Sequence, residues 1–328
     1  MRLRVLSADD VRRSLPMADA VRAMKDAFRQ FSAGQADVPL RSRVEVTEAG
    51  GIALFMPSYL RGSRDLAVKA VSVFPRNPER QLPTIHALVI AFDSETGAPA
   101  ALLEGAALTA LRTGAASGAA TDVLANPQVR VVGIFGSGVQ ARTQLEAVCA
   151  VRPVERVWIY SLDAPGARAM ADQARSLLPA IDVRLAATSE QAAGEADVIC
   201  TATTSSSPVF QDHAVRPGTH INAIGAYTPE MQEIDPDTVA RSRLFVDSRK
   251  AALVEAGDLI QPIRQGRITK DWIQAELGEV ISGGRPGRTT AEEITLFKSV
   301  GLAVQDAVAA GAILRKAEAL GLGQVIEI

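Results

Sequence analysis

Apolar side chains recur at helical spacing over residues 7–34, where Val21, Met24, Phe28 and Phe31 fall on one face. Ser7-Ala-Asp-Asp10 has the form of a capping box, and Gly34 supplies a stop. The pattern then shortens to β-like runs at 43–46, 52–56, 67–74 and 84–92. Gly50-Gly51, Gly62, Pro75 and Pro78 punctuate these runs, and Asp93-Ser-Glu-Thr-Gly97 predicts a hairpin turn into 99–103. The opening is therefore α+β with antiparallel strands. From 104 to 124 Ala, Leu and Thr dominate and predict a long helix, ended by Asn126-Pro127. Its run of small residues, Gly114 to Ala120, suits a crowded packing face.

Beyond that helix, strand-like runs at 129–135, 156–160, 182–186, 197–201, 220–224 and 244–247 alternate with helical segments. A further strand is expected at 292–297 and a final long helix at 299–320. Such alternation is the mark of a doubly wound parallel sheet with helices on both faces. The last helix is expected to pack back on the N-terminal domain.

Composition excludes several function classes. The 328 residues carry 35 Lys+Arg against 37 Asp+Glu, so neither a nucleic-acid surface nor an acidic tail is expected. Cys149 and Cys200 form no C-x-x-C pair and predict no disulfide framework. Met1-Arg-Leu-Arg-Val-Leu lacks the apolar core of a signal segment, and no apolar run is long enough to span a membrane. The expectation is a soluble cytoplasmic protein with no nucleic-acid or membrane partner. With three scattered histidines, no metal is expected.

The chemistry starts at Val129–Ala141. A β-branched run leads to Gly136-Ser137-Gly138-Val139-Gln140-Ala141, followed by a helix. A strand, a glycine turn and a helix N-terminus form an anion site, the G-x-G-x-x-A version of the dinucleotide fingerprint. Gly136 permits the turn, Gly138 admits the phosphates, and Ala141 lets the helix pack on its strand. At the end of the second strand, Ser161 stands where an acid for the ribose is expected, with Asp163 two residues on. Ser161 removes the repulsion that would exclude NADP. Asp163 favours NAD if it reaches the ribose, or else caps the next helix. The cofactor is NAD or NADP, with NAD preferred.

Ligands of such a sheet sit beyond the C-terminal strand ends. Those ends place Thr201-Ala202-Thr203, Ile224-Gly225-Ala226, Asp247-Ser248, Lys298 and Gly301 on the cofactor side, with Asp235 in the loop after Ala226. Substrate groups must come from outside this domain. Arg41, Lys69 in the apolar run Ala67–Val71, and Arg112 in the small-residue helix are the candidates. A cation in such surroundings is paired or faces a site. Arg112 has a structural alternative, a buried pair with an acid such as Glu104; Lys69 has one as a snorkelling edge lysine. Several cations in one cleft suit a carboxylate.

Together these residues resemble the ornithine cyclodeaminase / mu-crystallin family, nearly end to end. The pieces are Pro39-Leu-Arg41, Val68-Lys69-Ala-Val, Leu108-Thr-Ala-Leu-Arg112-Thr113-Gly, Gly136-Ser-Gly-Val-Gln140, His220-Ile-Asn-Ala-Ile-Gly225, Glu233-Ile-Asp235, Phe245-Val-Asp-Ser248, Glu276-Leu-Gly-Glu279 and Leu296-Phe-Lys298-Ser-Val-Gly301. The resemblance implies a Rossmann domain, here 119–301, and a substrate-binding and homodimerisation domain from both chain ends, 1–118 with 302–328. It implies that Arg41, Lys69 and Arg112 hold the substrate carboxylate and polarise the reacting nitrogen. It implies that Asp235 is an acid/base at the amine and that Thr113 joins the cofactor contacts. Lys69, crowded by two arginines, is expected to have a depressed pKa.

Lys298 stands where the cyclodeaminase pattern carries an acid. It resembles instead the alanine dehydrogenase and mu-crystallin branch, as does Glu233-Ile-Asp235-Pro. The primary expectation is an NAD(P)H-dependent reductase of an imino acid, such as a cyclic ketimine of the Δ1-pyrroline-2-carboxylate type, or an amino-acid dehydrogenase. The alternatives are an ornithine cyclodeaminase with recycled NAD, and a non-catalytic binding protein of crystallin type.

Overall fold

The structure, a computed structural model, describes residues Arg2–Ile328. The chain forms two units, Met1–Arg112 with Leu302–Ile328, and Thr113–Gly301. The chain passes from one unit to the other inside the long helix, between Arg112 and Thr113.

The first unit runs β1 (Arg2–Leu6), α1 (Ala8–Ser14), α2 (Met17–Ser32), β2 (Ala36–Asp37), β3 (Ser42–Val46), β4 (Gly51–Leu60), β5 (Leu66–Val73), β6 (Ile85–Phe92), β7 (Pro99–Glu104) and α3 (Gly105–Leu124), which crosses into the second unit. The C-terminal helix Ala303–Leu320 and strand Gln324–Glu327 complete it. The capping box at Ser7 is present, with Ser7 Oγ accepting from Asp10 N. The helix expected over 7–34 is two helices, because Pro16 lacks an N–H and restricts Leu15 before it.

The sheet runs C-terminal strand–β1–β7–β6–β5–β4–β2, with β3 also on β4. All pairs are antiparallel except β1 with β7. Met56, Lys69 and Val89 lie side by side across β4, β5 and β6, all buried. The C-terminal helix packs on those three strands and on α2. Met24 and Phe28 of α2 are fully enclosed, each contributing about 1.5–3 kcal/mol through burial. The opposite face carries Phe55, Ala70 and Leu88 in one register row, with Phe55 and Leu88 exposed.

The second unit continues with β8 (Val131–Phe135), α4 (Val139–Val151), β9 (Arg156–Tyr160), α5 (Ala164–Leu177), β10 (Asp182–Leu185), α6 (Ser189–Gly194), β11 (Val198–Thr201), β12 (His220–Ala223), α7 (Pro236–Arg241), β13 (Arg243–Val246), α8 (Arg249–Glu255), α9 (Gly257–Arg264), β14 (Ile273–Glu276), α10 (Leu277–Ile281) and β15 (Thr295–Lys298). The sheet order is β10-β9-β8-β11-β12-β15-β13-β14, parallel throughout. Ile199 packs into one apolar layer while Val198 and Cys200 pack into the other. Burial on both faces explains why these strands read as continuous apolar runs. Order reverses between β8 and β11, which makes their C-terminal ends the switch point where ligands of such sheets bind.

Candidate functional site

The predicted turn stands at that switch point. Gly136 has φ +106°, and a Cβ there would lie 2.6 Å from the Ala202 carbonyl at the end of β11. Only glycine satisfies both constraints. Gly138 caps α4 without any side-chain hydrogen bond, and nothing lies within 4 Å of where its Cβ would be. The leading amides of α4, at Val139 and Gln140, are thus not claimed by a side-chain cap, and space remains in front of them. Ala141 is fully buried against the sheet, as a helix close to its strand requires. A cavity of about 570 Å³ adjoins the turn and is lined by Ser137, Gly138, Ser161, Leu162, Ala202 and Thr203 among others. An uncapped helix N-terminus with open space before it fits a pyrophosphate.

At the end of β9, Ser161 Oγ lies 3.2 Å from Ser137 Oγ and accepts from Asp163 N. Asp163 is the N-cap of α5, its carboxylate accepting from Gly166 N at 3.1 Å. The acid nearest the expected ribose position is therefore engaged by a helix.

The remaining strand ends are tied together by buried carboxylates. Glu233 Oε1 accepts from Thr203 N (2.6 Å) and Thr203 Oγ1 (2.8 Å). Its Oε2 accepts from Thr201 Oγ1 (2.8 Å), Gly225 N (2.6 Å) and Ala226 N (3.3 Å). Asp258 Oδ1 accepts from Glu233 N and Ile234 N, and Asp258 Oδ2 lies 2.9 Å from Lys298 Nζ. Burial pushes the Glu233 carboxyl above the usual carboxylate range, and Asp258 pushes the same way; Lys298 and the Thr203 donors pull it back. Asp247 Oδ2 accepts from Ser299 Oγ, Val300 N and Gly301 N and so closes the turn after β15. Burial raises its carboxyl against the pull of those donors. This turn, with Gly301 at φ +84°, delays the final helix from the expected 299 to Ala303.

Other predicted residues have local roles. Ser248 caps α8, Thr113 accepts from Gln144 through its carbonyl, and Ile224 N bonds to the Thr201 carbonyl. Asp235 caps α7 by accepting from Asp237 N at 2.9 Å, its side chain half-buried. Lys298 lies inside the sheet, in β15 between β12 and β13, with its side chain fully enclosed.

The first unit holds the cationic cluster. Lys69 Nζ is 2.7 Å from Asp306 Oδ2, and Arg112 Nε is 3.0 Å from Asp306 Oδ1. Arg112 Nη1 donates to Gln305 Oε1 at 2.6 Å. Arg112 thus pairs with Asp306 of the C-terminal helix rather than with Glu104. Glu104 instead accepts from Ala106 N and Ala107 N at the start of α3. Lys69 is no edge lysine: β5 lies between β4 and β6, and the residue is only 4% exposed. Burial lowers its pKa to about 8; Asp306 opposes the fall, while Arg112 and Arg41 add to it. Burial alone would raise Asp306, but Lys69 and Arg112 outweigh it and hold that carboxyl below its usual range. One carboxylate thus answers Lys69 and Arg112, with Arg41 close enough to act on Lys69 through its charge. The positive excess suits a carboxylate ligand.

Sequence reasoning did not assign Glu233, Asp258, Gln305 or Asp306. Two of them had a signal: Glu233 by its place in Glu233-Ile-Asp235, and Asp306 as an acid in the apolar C-terminal helix.

The two units define a class of protein with a doubly wound dinucleotide-type sheet and, in the other unit, a buried cluster of Lys69 and Arg112 on the Asp306 carboxylate. The chain belongs to the ornithine cyclodeaminase/mu-crystallin family, whose profile matches residues 1–320. It is 40% identical over 326 residues to a Delta(1)-pyrroline-2-carboxylate reductase of Bacillus cereus, covering 98% of this chain and 99% of the relative. Among solved structures it is similar to the Thermococcus litoralis Delta(1)-pyrroline-2-carboxylate reductase in complex with NADH and L-proline. That similarity has TM-score 0.93 and 42% identity, with 98% of this chain and 99% of that one covered. An archaeal alanine dehydrogenase dimer with bound NAD matches with TM-score 0.92 and 34% identity over 100% of both chains.

Proposed function

We propose that this protein is an NAD(P)H-dependent reductase of a cyclic imino acid of the Δ1-pyrroline-2-carboxylate class, acting by hydride transfer to the α-carbon. The observation that carries the reading is the Lys69–Asp306–Arg112 cluster, a buried cationic group in which burial lowers the lysine's pKa to about 8. Whole-length likeness to reductases of that class supports the choice of substrate.

In this mechanism Arg112 and Arg41 hold the substrate carboxylate. Lys69, protonated below about pH 8, donates a proton to the imine nitrogen and makes the adjacent carbon electrophilic. Asp235 is the second proton-handling group. Bound NAD(P)H supplies the hydride. Gly136, Gly138 and the amides of α4 hold its pyrophosphate, and Ser161 faces its adenosine ribose. The C=N bond becomes CH–NH by gain of one hydride and one proton.

A homodimer goes with this reading, formed through the outer face of the first unit's sheet. Val44, Phe55 and Leu88 are exposed there on β3, β4 and β6, with Ala70 of β5 between the last two, an apolar patch of the kind that marks an interface. Among the described residues no helix is long and apolar enough to cross a membrane. A cytoplasmic site of action is proposed with it, where nicotinamide nucleotides are available.

The deciding experiment follows 340 nm absorbance while the purified protein is given NADH or NADPH with a panel of cyclic imino acids, and with α-keto acids plus ammonia. Stoichiometric oxidation with a cyclic imino acid is expected. Ornithine converted to proline and ammonia with only catalytic NAD would replace this reading by a cyclodeaminase. Nucleotide binding without turnover would replace it by a binding protein.

A further inference from the structure

Glu233 carries the most heavily bonded carboxylate of the second unit, and the mechanism leaves it without a task. We propose that Glu233 is a positioning residue for the nicotinamide end of the dinucleotide, acting by fixing the ends of β11 and β12 against each other. The proposal rests on the dinucleotide reading above.

Topology supplies the location. The glycine turn closes β8, and Ser161 lies on one side of it at the end of β9. A dinucleotide with its pyrophosphate on the turn and its adenosine toward β9 has its nicotinamide toward β11 and β12. Strands lie about 4.8 Å apart, so the end of β12 is roughly 10 Å from the turn, within reach of the second nucleoside.

The bonding supplies the role. Five donors converge on the Glu233 carboxylate from Thr201, Thr203, Gly225 and Ala226, and three of them are backbone N–H groups that can only donate. They consume the amides of Thr203, Gly225 and Ala226. The carbonyls of those three residues remain for a ligand, and they suit the N–H groups of a carboxamide. The loops close so tightly that a Cβ on Gly225 would lie 2.1 Å from the Thr203 carbonyl. Asp258 and Lys298 brace Glu233 from behind. Apolar packing would join two strand ends at lower desolvation cost; a carboxylate with five directed bonds adds exact placement instead.

The test compares NADH with ADP-ribose, which lacks the nicotinamide, by calorimetric titration of the full chain. In Glu233→Gln an amide N–H replaces one acceptor oxygen facing backbone donors. NADH affinity is expected to fall about tenfold, the effect of losing bonds to a buried charged group, with ADP-ribose affinity unchanged. Equal losses for both ligands, or no loss for either, would overturn the role. Should Glu233→Gln fail to fold, Thr201→Val serves, since its fully buried hydroxyl donates to Glu233. A smaller loss of about threefold, confined to NADH, is expected there, and an unchanged NADH affinity would overturn the role. Native protein that binds neither ligand overturns the dinucleotide reading itself, and the positioning role with it.

Discussion

Lys69 Nζ lies 2.7 Å from Asp306 Oδ2, and the other oxygen of the same carboxylate lies 3.0 Å from Arg112 Nε. This shared carboxylate opposes the fall that burial imposes on Lys69, whose pKa stands at about 8. The protonated lysine is present below that value and lost above it. Imine reduction is therefore expected to decline as pH rises through about 8. In Asp306→Asn the opposing charge is gone, so the decline moves to lower pH. KM rises as well, because Arg112 loses its orientation. The variant is also expected to lose on the order of 3 kcal/mol of stability, since two buried cations lose their counter-charge. A pH profile of kcat/KM and a thermal melt check this; an unshifted profile would remove Asp306 from control of Lys69.

Asp235 separates a structural role from a chemical one. Asn caps helices as well as Asp does, so Asp235→Asn keeps the bond from Asp237 N and the start of α7. Turnover is expected to fall at least about 100-fold, the usual scale for loss of a general acid or base, with NADH binding intact. Steady-state rates beside a fluorescence titration decide it. A normal rate would leave the proton to Lys69 alone, and Lys69→Ala would then be the variant that loses turnover.

Ser161 governs the choice of cofactor in this reading, because Asp163 is engaged by Gly166 N. With no acid on the ribose, the native protein is expected to use NADH and NADPH within about tenfold of each other. Ser161→Asp places a like charge beside a 2′-phosphate, and NADPH use should fall about tenfold or more while NADH use persists. Comparing kcat/KM for the two nucleotides in both proteins tests this. Equal response to NADH and NADPH in the variant would show that the ribose lies elsewhere.

Phe55 and Leu88 lie in one register row, on either side of Ala70. A pair of glutamates there, Phe55→Glu with Leu88→Glu, would bring like charges into an interface built on this face. Light scattering is expected to give twice the chain mass for the native protein and the chain mass for the double variant. A double variant that stays dimeric would move the interface off this face.

The strands of both sheets were legible from the sequence to within a few residues, as at Val131–Phe135 and Pro99–Glu104, because apolar runs bounded by glycine and proline are local signals. The short β1, β2, β14 and C-terminal strand were missed. β1 and the C-terminal strand pair with each other across the whole length of the chain, and none of the four has enough alternation to stand out. Pro16 divided a helix that periodicity alone read as continuous. Helices α7 to α10 are too short for their period to register.

The sequence by itself determined the parallel character of the second unit, the glycine turn at Gly136 and Gly138, and the cations at Lys69 and Arg112. Periodicity, glycine geometry and the cost of a charge in an apolar run are all properties of a few neighbouring residues. Tertiary structure alone decided the partners: Asp306 for Lys69 and Arg112, Asp258 for Lys298, and Glu233 for the ends of β11 and β12. It also set β15 between β12 and β13. A buried charge announces that it needs a counter-charge, but only the folded chain brings the particular carboxylate within 3 Å.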